Sequence, residues 1–311
     1  MIRRTASRCF AIGLLAVTAA LPARAPAQAI GVTAAQAERI RTTPVDAAIK
    51  LVSKDFKFVK PGTLTVGQLT GYLPFAVVGA DNKTLVGTDP EFAQLIADSL
   101  GLKLEIVDVA WADWPLGVES GRFDAALANV TVTEQRKKKF DFSTYRNDLL
   151  GFYVKKNGPV QQIKTPADVA GLKIVVSPST NQEQILLRWN KQNIAAGLKP
   201  AELVYYDDDA VRRLALQSGR VDAYFGPNAQ QAYEATQMGT TRLAGLFPGG
   251  WPSTAEIAVV TRKNSGLADA ITYALNVQIK NGNYGKILAR WNLSSEAIDT
   301  SRTNPPGLRE E

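Results

Sequence analysis

The sequence of 311 residues contains no histidine, and its only cysteine is Cys9. A chain without histidine cannot form the Ser-His-Asp or Cys-His arrangements that activate a nucleophile for hydrolysis. It also cannot form the zinc sites that need histidine or several cysteines. These absences exclude the commonest hydrolase and zinc-dependent mechanisms. No basic patch with interleaved aromatic residues is present, so the sequence does not predict a nucleic-acid partner.

The first 29 residues have the order of features of a secretory signal peptide. Three arginines come first: Arg3, Arg4 and Arg8. An apolar run over residues 9–21 follows, and then the small-x-small sites Ala23-Arg24-Ala25 and Ala27-Gln28-Ala29. The run is too short to span a bilayer comfortably, which argues against a membrane anchor. We predict export to the periplasm with removal of residues 1–29, which would lower the net charge from +7 to +3 because four arginines and no acidic residue are lost.

A heptapeptide motif occurs twice in the chain. Ser120–Ala126 reads SGRFDAA, and Ser218–Tyr224 reads SGRVDAY. The tripeptide Gly-Leu-Lys precedes each copy, at residues 101–103 and 197–199. The spacing between the copies is longer than the period of about 20–50 residues that builds solenoids. We therefore predict two similar α/β lobes, with a cleft between them of the kind that binds small ligands.

Apolar runs and helix-capping signals predict strands that alternate with helices. Helix caps are predicted at Thr88 or Asp89 and at Ser179 or Thr180. The alternation predicts mostly parallel sheets with right-handed crossovers, and hence an α/β fold. The predicted organisation is a helical extension over residues 30–60 (helices at 34–40 and 45–52), lobe I over 61–152 and 256–311, and lobe II over 153–255. Two predicted strands, at 149–155 and 256–261, would cross between the lobes and form a two-strand hinge.

Three consecutive aspartates, Asp207, Asp208 and Asp209, stand just before a predicted helix over residues 211–217. Carboxylates at such a place can bind a metal ion, or they can cap the helix and interact favourably with its dipole. The capping interpretation needs no ion, and we favour it. We therefore predict no metal site and no cofactor.

Several short motifs follow one another in a fixed order: Tyr72-x-Pro74-Phe75, Gly87-Thr88-Asp89, Ser120-Gly121-Arg122-Phe123-Asp124, Thr131-x-Thr133-x-x-Arg136, Phe140-Asp141-Phe142-Ser143-x-Tyr145, the segment 163–173 and Ser179-Thr180. In this order, over about residues 62–292, the chain resembles the extracellular solute-binding proteins of ABC importers, family 3. The resemblance implies a two-lobed periplasmic binding protein-like (type II) fold with a ligand cleft. It also implies a monomer that captures a small carboxylate-bearing solute, an amino acid or a derivative, and delivers it to permease subunits in the inner membrane.

Arg136 follows Thr133 by three residues, so it lies in the first turn of a helix that Thr133 can cap. A guanidinium offers two parallel donors to a carboxylate, and the helix N-terminus adds free amides and partial positive charge. Taken with the resemblance, this position predicts that Arg136 binds the ligand carboxylate. Without the resemblance, we would interpret Arg136 as part of a surface ion pair. The predicted ligand-binding residues are Tyr72, Trp111, Asn129, Thr131, Arg136, Thr180, Asn181, Gln182 and Asn228.

One position departs from the family pattern. Amino-acid binders of this family usually have a carboxylate five residues after the aspartate of the second Gly-Arg-x-Asp motif, where it receives the α-ammonium, but this chain has Pro227. Leu69 likewise stands where some relatives have an acid. A buried ammonium without a counter-charge is costly. We expect amide and aromatic groups to surround a cationic ligand group instead: Asn228, Tyr72, Trp111 and Tyr224. Such a site should prefer a modified amino acid or betaine-like acid to an ordinary L-amino acid.

Two other functions are open at this point. Periplasmic cyclohexadienyl dehydratases share the fold, but elimination needs an acid in the cleft, and none stands out in the sequence. A ligand-sensing module is the other, but the sequence contains no kinase, cyclase or transmembrane segment. The prediction is therefore a binding protein that is not an enzyme.

Overall fold

The computed structural model describes residues 38–79, 81–206 and 208–309. The predicted signal peptide lies outside the described residues. The helices in these ranges are α1 (Asp46–Leu51), α2 (Thr88–Ser99), α3 (Trp114–Ser120), α4 (Glu134–Lys137), α5 (Asn181–Ala195), α6 (Asp209–Ser218), α7 (Asn228–Met238), α8 (Ala268–Lys280) and α9 (Asn283–Arg290). The strands are β1 (Thr63–Gln68), β2 (Val77–Val78), β3 (Leu85–Val86), β4 (Lys103–Asp108), β5 (Ala125–Thr131), β6 (Phe140–Asn147), β7 (Leu149–Lys155), β8 (Lys173–Val175), β9 (Glu202–Val204), β10 (Ala223–Pro227), β11 (Thr241–Pro248) and β12 (Glu256–Arg262). None of the helices in these ranges is long and apolar enough to cross a membrane.

Two five-stranded sheets form the framework. The first has the order β4-β1-β5-β12-β6, in which β1, β4 and β5 run parallel and β12 is antiparallel to both of its neighbours. The second has the order β11-β7-β10-β8-β9, in which β8, β9 and β10 run parallel and β7 is antiparallel to both of its neighbours. The predicted two-lobed α/β fold is confirmed. The antiparallel strands β7 and β12 are those that the chain enters when it passes from one sheet to the other.

The two copies of the Gly-Arg-x-Asp motif have the same local structure. Gly121 follows α3 and Gly219 follows α6, both in the left-handed conformation, with φ of 73° and 78°. Glycine adopts this conformation without the steric cost of a Cβ atom, and it commonly ends helices. The aspartate of each copy then accepts a hydrogen bond from the neighbouring parallel strand. Thr65 N donates to Asp124 and Lys173 N donates to Asp222, each over 2.8 Å.

The chain passes between the sheets at two adjacent places. The first is Asp148, between β6 and β7, and the second is the segment 249–255, between β11 and β12. The two passages are hydrogen-bonded to each other, because Asp148 N donates to Ala255 O over 2.9 Å and Gly249 N donates to Asp148 O over 2.8 Å. The predicted lobe limits at residues 152 and 255 lie close to these passages and stay a prediction.

The predicted helix caps at Thr133 and Thr180 are confirmed, and the one at Thr88 or Asp89 is wrong. Thr133 Oγ1 accepts a hydrogen bond from Arg136 N over 3.1 Å, and Thr180 Oγ1 accepts one from Glu183 N over 3.3 Å. Helix α2 begins at Thr88 without a side-chain cap. The hydroxyl of Thr88 donates to Pro74 O instead, and Asp89 accepts from Tyr145, so tertiary contacts take both groups.

Each lobe has an apolar core of its own. In lobe I, α2 and α8 pack on the first sheet, and Phe92 and Ile271 are fully buried between them. In lobe II the core is aromatic, and the rings of Phe152 and Phe225 stack with centroids 3.9 Å apart. Trp189 of α5 packs against the same stack. Two separate cores make each lobe a rigid wall for the space between them.

Both ends of the described chain are attached to lobe I. In the predicted extension, Val45 N donates to Ser99 O over 2.8 Å, while residues 39–45 are irregular and most of the predicted helix over 34–40 lies outside the described residues. At the other end, Leu308 N donates to Val132 O over 3.0 Å, and Leu308 O accepts from Glu134 N over 2.8 Å. The C-terminal segment therefore fixes the beginning of α4.

Candidate functional site

A cavity of about 130 Å³ lies between the two lobes. Lobe I contributes Leu69, Tyr72, Phe75, Asp89, Trp111, Ala128 and Asn129 to its lining. Lobe II contributes Ser177, Thr180, Asn181, Gln182, Asp209, Tyr224, Pro227 and Gln230. The lining thus includes six of the predicted binding residues: Tyr72, Trp111, Asn129, Thr180, Asn181 and Gln182. It does not include Thr131, Arg136 or Asn228.

The beginning of α5 forms the polar part of the lobe II wall. Thr180 caps this helix, and its hydroxyl also donates to Ser177 O over 2.7 Å. Asn181 and Gln182 are the first two helical residues. Backbone amides in the first turn of a helix have no partner within the helix and carry partial positive charge. This wall can therefore donate hydrogen bonds to an acceptor on a ligand.

Thr131 meets α5 at the passage between the sheets. Its Oγ1 lies 3.1 Å from Asp148 Oδ2 and 3.2 Å from Asn181 Oδ1. Asn181 Nδ2 donates to Asp148 Oδ2 over 2.8 Å and to Gly249 O over 2.6 Å. Burial raises the pKa of the Asp148 carboxyl, and the nearby Arg146 opposes that shift. The sequence analysis missed Asp148, which links both passages to the cleft.

Arg136 reaches from lobe I to lobe II. Its Nη1 donates to Thr131 O over 2.9 Å, and its Nη2 donates to Ser179 O over 3.0 Å. The guanidinium carbon lies 5.5 Å from the ring centroid of Trp111 and 5.8 Å from that of Trp114. Burial lowers the pKa of Arg136 to about 10, so the side chain stays charged at neutral pH. The arginine thus contacts main-chain oxygens of both lobes.

A groove of about 630 Å³ adjoins the cavity on the side of Arg136. Arg136, Trp251 and Leu308 are among the residues that line it. Thr180 and Asn181 line both the groove and the cavity. The predicted carboxylate-binding arginine therefore lines the groove and not the cavity, and it contacts Ser179, just before the beginning of α5.

A buried ionic cluster lies beneath the lobe I wall. Arg146 and Glu296, both almost fully buried, form an ion pair. Asp89 is only 2% exposed, and Tyr145 Oη donates to its Oδ1 over 3.2 Å. Burial raises the pKa of Asp89 and that of Glu296 to about 7, and the charge of Arg146 opposes both shifts. The wall therefore contains a carboxyl group, Asp89, that titrates near neutral pH.

The same cluster orients Asn129. Arg146 Nη2 donates to Asn129 Oδ1, and the Arg146 guanidinium carbon lies 4.7 Å from the ring centroid of Phe75. Because an arginine has only donors, this contact uses the amide oxygen of Asn129. Within the described part of the chain, the Nδ2 group makes no hydrogen bond, so Asn129 offers a donor to the cavity.

Asp209 is a second carboxyl group in the lining. It is the first residue of α6, and its Oδ1 accepts from Arg212 Nε over 2.8 Å. Arg212 also contacts Glu234 over 3.2 Å and lies 4.3 Å from the ring centroid of Tyr224. The lining therefore contains two carboxyl groups, Asp89 and Asp209, in addition to the aromatic groups that the sequence analysis predicts.

Asp208 of the acidic triplet acts on the helix. Asp208 caps α6 by accepting from Val211 N over 2.9 Å, as predicted, and Asp207 lies outside the described residues. Among the residues that the structure describes, no group of three or more acidic, histidine or cysteine side chains could hold a metal ion.

Asn228 is turned away from the cavity, and its Oδ1 accepts from Tyr153 Oη over 2.9 Å. Its neighbours Pro227 and Gln230 line the cavity instead. Gln230 stands three residues after Pro227 at the beginning of α7, so helical spacing is a signal that could have found it. No comparable signal identifies Asp89, because its direction depends on the contact with Tyr145.

The sequence profile of the bacterial extracellular solute-binding proteins, family 3, matches residues 64–294. The chain is 33% identical over 237 residues to the L-cystine-binding protein TcyJ of Escherichia coli (strain K12), across 76% of this chain and 84% of that protein. It is 29% identical over 234 residues to the L-cystine-binding protein TcyA of Bacillus subtilis (strain 168), across 75% and 82%.

A solved structure similar to this chain is also that of an amino-acid-binding protein. An ancestral arginine-binding protein bound to arginine is 31% identical and has a TM-score of 0.65, over 74% of this chain and 98% of that one. The matched residues 64–294 include every strand of both sheets except the first residue of β1. The chain belongs to the bacterial extracellular solute-binding proteins, family 3.

Proposed function

We propose that this protein is the substrate-binding component of an ABC importer, which captures an amino acid or amino-acid derivative in the periplasm and delivers it to permease subunits in the inner membrane. The cavity enclosed between the lobes, lined by six of the predicted residues, is the observation that supports this function best. The relatives reported above are named for binding L-cystine or arginine. Both ligands are amino acids with at least one carboxylate.

Arg136 is the proposed anchor for the carboxylate. Its Nη2 donates to Ser179 O, and a ligand carboxylate that replaced this carbonyl would receive a stronger, charge-assisted hydrogen bond. Thr180 and Asn181, which border both the cavity and the groove, would add hydroxyl, amide and backbone donors. The rings of Trp111 and Trp114 hold the guanidinium in place.

The ligand can be identified by thermal shift. The purified protein would be heated with L-cystine, L-arginine, L-histidine, L-glutamine, an opine and a betaine, each in separate samples. A ligand at 100 times its dissociation constant should add about 2.7 kcal/mol to the free energy of unfolding. If no amino acid or derivative stabilises the protein, the proposed function is wrong.

The role of Arg136 can be tested by calorimetric titration with the ligand that the screen finds. Arg136→Ala should weaken binding by about 10- to 100-fold, because a charge-assisted contact is lost. Arg136→Lys should also bind more weakly, since an ammonium cannot offer two parallel donors. Lys137→Ala, on the same helix but paired with Glu134 over 3.1 Å, is the matched control. Unchanged affinity in a folded Arg136→Ala variant would remove Arg136 from the site.

The lobes are proposed to close on the ligand by rotation about the two passages, with the protein remaining a monomer. Small-angle scattering with and without ligand should give a smaller radius of gyration for the complex. An identical radius would argue for a permanently closed form. The proposed export is tested by mass spectrometry of the periplasmic fraction, which should find a chain that starts at Ile30. An intact Met1 in the membrane fraction would contradict it.

The dehydratase alternative has one observation in its favour, since Asp89 gives the cavity a carboxyl group whose burial raises the pKa to about 7. Such a group can act as a general acid or base. The relatives reported above are nevertheless named as binding proteins, so we do not prefer this alternative. Loss of both water and carbon dioxide from a cyclohexadienyl substrate, followed by absorbance of the aromatic product, would test it.

A further inference from the structure

We propose that Asp209 provides the counter-charge for a second cationic group of the ligand, in a cavity where position 227 is a proline and adds no negative charge. The proposal rests on the proposed function, because it takes the cavity as the ligand site. Among the described residues, the lining contains two carboxyl groups, Asp89 and Asp209, and neither lysine nor arginine contributes to it. Unlike charges attract strongly in a partly desolvated space. The ligand class that fits is therefore an amino acid with a second cationic group.

Of the two carboxyl groups, Asp89 has its charge compensated from within lobe I. It is buried, it accepts a hydrogen bond from Tyr145, and Arg146 lies close enough to lower its pKa against the effect of burial. A ligand cation would have to compete with Arg146 for this group. Asp89 therefore contributes little free negative charge to the cavity.

The negative charge of Asp209 is less compensated than that of Asp89, and its side chain is more accessible. Its side chain is 26% exposed, and its Oδ1 is bonded to Arg212. Arg212 forms ion pairs with both Asp209 and Glu234, so it does not compensate Asp209 alone. Among the described contacts, Oδ2 of Asp209 has no hydrogen-bond partner. One carboxylate oxygen therefore remains for a donor on the ligand.

Asp209 also acts on the part of the cavity that position 227 faces. Its charge raises the pKa of Tyr72, where burial is the larger cause and where Arg212 and Arg213 oppose the shift. At Tyr224, whose pKa burial raises to about 12, Arg212 opposes the shift and Asp209 adds to it. Tyr72 belongs to lobe I and lines the same cavity as Asp209, so the two residues face the cavity from opposite walls. Tyr224 and Pro227 are three residues apart on β10. The two aromatic faces would add cation–π attraction for the same ligand group.

Binding of L-arginine and L-citrulline by the exported chain, measured by calorimetry, tests the proposal. The two ligands have the same length, but the guanidinium of arginine is replaced by a neutral ureido group in citrulline. The wild type should prefer arginine. Asp209→Asn should weaken arginine binding by about 10- to 100-fold and leave citrulline binding unchanged, because the amide oxygen keeps the contact with Arg212.

Asp208→Asn is the matched control. It removes one negative charge from the adjacent residue, which is exposed and outside the lining, and an asparagine can still cap α6. This variant should bind both ligands like the wild type, which would separate a local contact from a general effect of charge.

Three results would overturn the proposal. The first is a wild type that binds neither ligand or does not prefer arginine. The second is an equal loss of affinity for both ligands in Asp209→Asn. The third is a loss of arginine affinity in Asp208→Asn as large as that in Asp209→Asn. The proposed function has a separate outcome. If the thermal-shift screen finds an amino acid with a second cationic group that binds the wild type and Asp209→Asn equally well, the function stands and the role of Asp209 falls.

Discussion

The Gly-Arg-x-Asp motif occurs in both lobes, but its aspartate is more deeply buried in lobe I than in lobe II. In lobe I, Asp124 is 4% exposed and accepts backbone hydrogen bonds from Val59 and Thr65 over 2.9 and 2.8 Å. In lobe II, Asp222 is partly exposed and accepts one from Lys173. Burial raises the pKa of Asp124, although its hydrogen bonds oppose that shift. The motif therefore specifies the same helix-to-strand junction in both lobes. The burial of its aspartate differs, and so does the stability that each copy is expected to contribute.

The residue before the aspartate shows the same contrast. Phe123 in lobe I is 1% exposed and lies over Gly67 and Gly117, where an added Cβ atom would come within 2.7 and 2.3 Å of its ring. Val221 in lobe II fills a smaller apolar cluster together with Leu216. Two glycines thus make room for the larger side chain of Phe123. Truncation at this position should therefore lower the free energy of unfolding more in lobe I than in lobe II.

The largest expected effect is that of Phe123→Ala. Removal of the ring should lower the free energy of unfolding by about 3–5 kcal/mol, because it leaves a cavity that the glycines cannot fill. Val221→Ala removes fewer atoms at the equivalent place and should cost less. Denaturant titration of both variants measures the difference. Equal losses would show that the two lobes do not differ in packing at this junction.

The next effect concerns the aspartates. Asp124→Ala should cost about 2–4 kcal/mol, because the buried amide of Thr65 and the partly buried hydrogen bond of Val59 N lose their acceptor. Asp222→Ala should cost about 1 kcal/mol, since one amide is affected and water can replace part of the contact. The same denaturant titration tests both. A larger loss for Asp222→Ala would reverse the comparison.

The buried acids of lobe I should make stability depend on pH. Burial raises the pKa of Asp89 and Glu296 to about 7 in the folded protein, whereas such groups titrate near pH 4 when unfolded. Between these values the folded state binds more protons than the unfolded state, so the contribution of these groups falls as pH rises. Each group contributes at most about 1.4 kcal/mol per pH unit. Unfolding of Asp89→Asn between pH 4.5 and 7 should show a shallower fall than that of the wild type; an equal slope would contradict the assignment.

The smallest effect is expected at a contact between the lobes. Trp111 Nε1 donates to Pro178 O over 3.2 Å. Trp111→Phe keeps an aromatic ring but removes this donor, so ligand affinity should fall by about 1 kcal/mol, or roughly fivefold. Trp114→Phe is the control, because Trp114 makes no hydrogen bond across the cleft in the described structure. Calorimetric titration of the two variants gives the comparison, and equal affinities would exclude a role of this hydrogen bond in closure.

Much of the local structure was predictable. The caps at Thr133 and Thr180 and the helix ends at Gly121 and Gly219 depend on residues within a few positions of each other. Such signals act through the backbone and do not need the rest of the fold. The cap at the beginning of α2 was wrong because Asp89 makes its hydrogen bond to Tyr145, 56 residues away.

The sequence by itself determined the two-lobed α/β fold, the repeated helix-to-strand junction and the place of Arg136 in the first turn of α4. The tertiary structure alone decided which groups line the cavity. Asp209 has the sequence position of a residue at the beginning of a helix, and it belongs to the lining only because lobe II faces Tyr72 of lobe I. Asn228 follows Pro227 directly, yet it turns toward Tyr153. The reason is physical, since local propensities act over a few residues, whereas the lining combines side chains that are far apart in the sequence and meet only in the tertiary structure.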